Sequence, residues 1–236
     1  AMQKGDFYNA LDGFGIASKA AEYRAVSFLN IARLNLKRGK PAKAIEYAER
    51  SLEFDAASIS ARNTLLMALR HNGEEERALQ FAQTLLEKNP LNHFARIEKV
   101  FITDNDYVFQ EAAKVIQNEF AAETWLEMAI NYSNLGMTNE AITILEHAPH
   151  SVINDLWMAF LLEKRGNMKQ SARLFASVKE ASPDFVLPFR PETFQVLTHF
   201  LKKESNWKLN YYAGLILWAK NRKEEARNVF QSLENI

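Results

Sequence analysis

Residues 122–151 read AETWLEMAINYSNLGMTNEAITILEHAPHS. Trp125, Met128, Ala129 and Tyr132 fall at i, i+3, i+4 and i+7, a spacing that lines one face of an α-helix. Gly136 follows the periodic run, and glycine there accepts the left-handed conformation of a helix C-cap. Ala141, Leu145 and Ala148 then mark a second helical stripe, which Pro149 cuts off. The stretch therefore predicts two helices joined by a tight turn. Each is apolar on one face, so each needs the other to be stable in water.

The same arrangement recurs outward in both directions. Gly39 and Gly73 are 34 residues apart, and Ala44, Ala78 and Ala112 follow one another at that same interval of 34. A Gly with an Ala five residues later appears as Gly5/Ala10, Gly39/Ala44, Gly73/Ala78 and Gly136/Ala141. Gly166/Ser171 and Asn221/Ala226 are near matches, and Asn tolerates positive φ. The physical reason for the pair is simple. One helix stops at the Gly, a second starts a few residues on, and its first inward residue must be small where the helices cross.

Several pieces of this pattern resemble the tetratricopeptide repeat. Trp125-x2-Met128-Ala129-x2-Tyr132 fits the first part of its motif. Ala10-x3-Phe14, Ser171-x3-Phe175 and Ala226-x3-Phe230 fit the second, and Pro90 and Pro183 the closing proline. The resemblance implies an all-α fold, a right-handed superhelical solenoid of antiparallel helix pairs. It divides residues 1–236 as a single array: a partial repeat at 2–24, pairs at 25–58, 59–92, 93–121, 122–151 and 152–185, a strap and lone helix at 186–205, and a last pair at 206–236. In 93–121 the turn glycine is replaced by Tyr107 after Asp104-Asn105-Asp106.

Residues 186–191 read VLPFRP and cannot be helical with Pro188 and Pro191 so close together. Pro191 suits the first turn of a helix whose apolar face is Phe194, Leu197, Phe200 and Leu201. The strap is expected to replace a missing first helix, with Phe189 inserted between the fifth pair and the lone helix. An array with such a strap resembles the C-terminal array of a group of large bacterial proteins. In that group a domain of mutarotase-like β-sandwich type precedes the repeats. The opening helix around Phe7, Leu11 and Phe14 matches a second helix without a first, so the natural chain is expected to continue upstream.

Composition narrows the function. The 29 Lys and Arg balance 29 Asp and Glu, which argues against nucleic-acid binding, since that draws its affinity from excess positive charge. Charge interrupts every apolar stretch, so no membrane span is expected. With no Cys, disulfides and thiolate chemistry are excluded. No phosphate-loop motif occurs, and Gly13 and Gly15 read as a helix making room for close packing. Glu146-His147-Ala148-Pro149-His150 lacks metal-ligand spacing, and Asp104-Asn105-Asp106 lacks the Gly and terminal Glu of a calcium loop. Neither an enzyme activity nor a cofactor or metal is expected.

What remains is binding of a protein or peptide. In tetratricopeptide arrays the first helix of each pair lines the concave surface. Carried over copy by copy, the resemblance places Leu29 and Arg33, Asn63 and Met67, Ile97 and Phe101, Leu126 and Ile130, Leu156 and Phe160, and Tyr211 and Leu215 in the groove. Phe94, Ile153 and Trp218 add to its apolar part, and Arg33, Lys37 and Arg70 form a basic rim. Leu29 and Phe94 stand where a clamp for acidic chaperone tails would need Lys, so that mode is not expected. The expected partner is a polypeptide segment or the adjoining upstream domain. The competing reading is a structural spacer or dimerising arm of a larger carbohydrate-related bacterial protein.

Overall fold

The computed structural model describes residues 6–116 and 120–233, apart from the side chains of Asp106 and Tyr107. Gly5, those two side chains and the tail of the expected last pair, 234–236, lie outside the described residues. The chain divides into two compact units. The first unit comprises Ala1–Glu119 with Asn134–Gly136, and the second comprises Phe120–Ser133 with Met137–Ile236.

The first unit holds α1 (Phe7–Ala17), α2 (Ala21–Lys37), α3 (Pro41–Phe54), α4 (Ile59–His71), α5 (Glu75–Lys88), α6 (His93–Thr103) and α7 (Asp106–Val115). The second holds α8 (Ala121–Asn134), α9 (Thr138–Glu146), α10 (Val152–Lys164), α11 (Met168–Glu180), α12 (Pro191–Leu201), α13 (Trp207–Ala219) and α14 (Lys223–Gln231). No strand occurs among the described residues, and none of their helices is long and apolar enough to cross a membrane. The fold is all-α, built of short helices packed in sequence.

One turn is used again and again. Lys40 donates its N–H to the Asn35 carbonyl, Glu74 to Leu69, Met137 to Tyr132, Asn167 to Leu162 and Arg222 to Leu217, all at 2.8–3.0 Å. Each is the six-to-one bond that closes a helix over a left-handed residue. Gly73 supplies that residue at φ 78°, and Asn221 does so at φ 59° in the last pair. In the third pair the left-handed residue is Asp104, at φ 45°, which caps α6 where the sequence shows no glycine. Side chains then start the next helices: Ser58, Asn92, Ser151 and Asn206 each accept a backbone N–H three residues on.

The small residues sit where the helices cross. Ala44, Ala78, Ala141 and Ala226 are wholly buried, and Ala112 and Ser171 nearly so. Trp125, Met128, Ala129 and Tyr132 are buried together on α8. Gly214 carries the same logic further: a Cβ there would lie 2.4 Å from the Phe230 ring, so α13 lacks a side chain where α14 presses in. Gly13 and Gly15 correct the sequence reading. A Cβ on either would meet nothing within 4 Å, so close packing does not explain them.

The strap is non-helical through 186–190, and α12 starts at Pro191. Phe189 does not insert as expected. It stays exposed, under the Arg190 guanidinium at 5.0 Å, and the residue that buries is Pro188. Arg190 anchors the strap instead, bonding Glu123 at 3.1 Å and Glu127 at 3.2 Å on α8. The physical reason is local: the compact ring of Pro188 buries at little cost in side-chain entropy, while Arg190 supplies a fork for two carboxylates. Behind it, the buried Trp157 Nε1 donates to Thr193 Oγ1 at 3.0 Å, tying α10 to α12.

Candidate partner-binding faces

The expected partner face splits between the two units, and each part is considered by itself. In the first unit it comprises the exposed-side positions of α2, α4 and α6. Leu29, Met67, Phe94 and Ile97 are buried there. Half-exposed residues remain: Arg33 on α2, Asn63 and Arg70 on α4, and Phe101 on α6, with Lys37 exposed.

Arg70 is not a free rim charge. Its Nε and Nη2 grip the two oxygens of Glu98 at 2.8 and 3.2 Å, and its guanidinium lies 5.2 Å from the Phe101 ring centre. Glu98 is wholly buried, so the pair is part of the structure between α4 and α6. A bidentate bond satisfies both carboxylate oxygens, which is what a buried charge requires. Sequence reading missed Glu98, although a lone charge among Phe94, Ile97, Val100 and Phe101 was the available signal.

Arg33 differs from every other described arginine of the first unit. Arg24, Arg62 and Arg96 bond backbone carbonyls, Arg38 and Arg50 lie over aromatic rings, and Arg70 and Arg77 hold carboxylates. Among the described residues Arg33 has no hydrogen-bond, ion-pair or ring partner, and burial draws its pKa below the usual arginine value. On the neighbouring first helix, α4, the side-chain oxygen of Asn63 is buried without a partner. One group lacks an acceptor and the other a donor.

In the second unit the expected residues fare differently. Leu126, Ile130 and Leu156 are buried, as is Ile153. With Phe94 and Ile97 this corrects the apolar groove at five of its nine positions. Alternate helices within a unit pack on one another, α2 on α4, α4 on α6 and α10 on α12, so part of the expected face is taken up by packing. Phe160 is half-exposed between Trp157 (5.9 Å, edge-on) and His199 (5.1 Å), with Lys164 Nζ 4.5 Å above it. Tyr211 and Leu215 are half-exposed, and Trp218 is exposed.

Charges beside Phe160 are already matched. Glu163 accepts from His199 Nε2 at 3.1 Å and from Lys203 Nζ. Burial works against ionisation of Glu163, yet these two bonds outweigh it and hold its pKa below the usual carboxylate value. Tyr212, beside Tyr211, is wholly buried with its hydroxyl unpartnered. Burial, reinforced by Tyr211 and Asp184, pushes its phenol up to about 12, so it stays neutral. No group of three or more His, Asp or Glu that could hold a metal occurs among the described residues.

Residues 25–58 match the family described as tetratricopeptide repeat. No curated protein sequence matches the chain. Among solved structures it is similar to a tetratricopeptide repeat protein from Parabacteroides merdae ATCC 43184, at 21% identity and TM-score 0.43 over 99% of this chain and 88% of that one. It is also similar to pilF of Pseudomonas aeruginosa, at 15% identity and TM-score 0.39 over 90% and 98%. MamA from Desulfovibrio magneticus RS-1 gives 19% identity and TM-score 0.34 over 66% and 93%. Likenesses this distant carry no argument about function. The tetratricopeptide character rests on the repeated turn, the buried small residues and the match at 25–58.

Proposed function

We propose that this tetratricopeptide-type chain is a protein-interaction scaffold, and that the face of α2, α4 and α6 takes an acidic polypeptide segment. The observation that carries the reading is Arg33, a half-buried guanidinium without a partner among the described residues. Removing a charge from water without pairing it is unfavourable, so a carboxylate arriving there gains both a charge-assisted bond and relief of that cost. Phe101 offers a half-exposed ring in sequence register with Arg33, two repeats on. Lys37, exposed, adds to the association rate more than to the affinity. The apolar groove of the sequence reading thereby becomes a mixed face, polar at α2 and α4 and aromatic at α6. A domain upstream in the same chain, as the bacterial resemblance implies, is the alternative source of the acidic segment.

The test is fluorescence anisotropy with a labelled peptide of alternating Glu and Leu. Arg33→Ala should weaken binding about tenfold, the loss of one charge-assisted contact. Affinity should also fall as salt is raised. Equal binding by the variant, with helical content intact, would remove the face from consideration.

A further inference from the structure

A pocket lies within the last helices of the second unit. It encloses about 190 Å3 between the start of α12 and the end of α13. Pro191, Phe194, Ile216 and Leu217 form its apolar walls, and Lys220 and Arg222 stand at its rim. Ile216 and Leu217 are buried, Phe194 is half-exposed, and both cations are exposed. The Arg222 guanidinium lies 5.8 Å from the Phe194 ring centre and bonds Glu225 at 2.6 and 2.5 Å. Lys220 has no ion-pair or hydrogen-bonded side-chain partner among the described residues.

The size excludes a large ligand. It corresponds to roughly six waters at ~30 Å3 each, below the ~300–1,000 Å3 of pockets for drug-sized molecules. One apolar side chain fills it. The rim is cationic on balance, because Lys220 is free while Glu225 offsets Arg222. The smallest occupant that meets both carries an apolar side chain and a negative charge on the same residue. An internal Asp or Glu does not meet that demand, since its charge sits at the tip of the side chain that would enter the apolar floor. The last residue of a polypeptide does, because its α-carboxylate is attached two bonds from the Cβ.

We infer that this pocket binds the C-terminal residue of a polypeptide, its apolar side chain against Phe194, Ile216 and Leu217 and its carboxylate on Lys220 and Arg222. The inference extends the scaffold reading from an acidic segment on the first unit to a chain terminus on the second. The two sites share no residue, so each can fail without the other.

The probe is fluorescein-labelled Gly-Ser-Gly-Ser-Phe with a free carboxylate, measured by anisotropy on the whole chain. The same peptide amidated, and one ending in Gly, should each bind about tenfold more weakly, as should the free acid on Lys220→Glu. Lys220 is exposed, so that variant keeps its fold, which circular dichroism verifies. Arg33→Glu, in the first unit, should leave the affinity unchanged. Equal binding of acid and amide overturns the assignment. So does indifference to Lys220→Glu, or equally tight binding of an amidated peptide with an internal Phe-Asp. A loss on Arg33→Glu instead would place the terminus on the first unit.

Discussion

The two units differ in the charges along their candidate faces. In the second, the side chains beside the candidate ring Phe160 are committed: Lys203 and His199 to Glu163, Lys164 to the ring itself. In the first, Arg70 is committed just as firmly to Glu98, but Arg33, two helices earlier, is not. Both units are made of the same helix pair, so the backbone does not decide which charge is available. What decides is whether the neighbouring helix happens to carry a carboxylate opposite it. A binding position in such a fold is thus recognised by a missing partner, and a structural position by a complete one.

The sharpest break of this comparison is at Glu98. Glu98→Ala leaves the Arg70 guanidinium, only 14% exposed at its side chain, against Phe101 without its carboxylate. Loss of one member of such a pair should lower stability by about 3 kcal/mol, read as a lower midpoint in urea. Replacing both residues together, Arg70→Met with Glu98→Leu, should recover most of that loss. Failure of the double variant to recover would mean that the pair holds α4 to α6 in some way beyond mutual neutralisation.

Next in size is the crossing that both units share. Ala78→Leu adds bulk at a wholly buried position between α4 and α5 and should cost about 1–3 kcal/mol by overpacking. Gly214→Ala in the second unit should cost less, because the Phe230 ring it meets is half-exposed and can turn away. Thermal melts of the two variants order the crossings by how freely each can relax.

The charge network of the second unit answers to acid. The Glu163 carboxyl is held below its ordinary pKa of 4.5, so its contribution is complete above that pH and disappears as pH falls through the folded value. The loss should stay within the ~0.2–1 kcal/mol of a part-exposed pair. Glu163→Gln should remove this segment of the pH profile below 4.5 and lower the stability at neutral pH by the same amount. An unaltered acid profile would show that Lys203 and His199 do not stabilise the charged form.

Much of the fold was open to sequence reading, since it is local. The 3.6-residue stripe at Trp125–Tyr132, the glycine turns and the breaks at Pro149 and Pro191 each depend on a few neighbouring residues. The partner face was not, because burial on α4 and α10 depends on helices from outside their own pair, α2 and α6 on the one and α12 on the other. The Arg70–Glu98 pair spans 28 positions for the same reason. The strap shows an intermediate case. Its extended form follows from two prolines, but the choice of Pro188 and Arg190 over Phe189 as anchors required Glu123 and Glu127, on a distant helix. Arg33 was legible as a basic position, though its lack of a partner was not.

The smallest expected effect on stability is also the most discriminating. Arg33→Met keeps an unbranched side chain of similar length, so the packing of its stem along α2 survives. It removes a charge that burial disfavours and that no described residue compensates. The isolated chain should therefore be unchanged or stabilised by about 0.5 kcal/mol, a rise in Tm of roughly 1–2 °C for a chain of this size. The same substitution should reduce the salt-dependent part of binding to the Glu-Leu peptide, because the only change is the loss of one counter-charge. Stability and binding then move in opposite directions, as expected where a residue is kept for function at a cost to the fold. Arg70→Met, by contrast, strands Glu98 and should lower both. If Arg33→Met also melts lower by more than about 1 kcal/mol, beyond the usual range for surface changes, its guanidinium is structural after all, and the distinction between the two arginines fails.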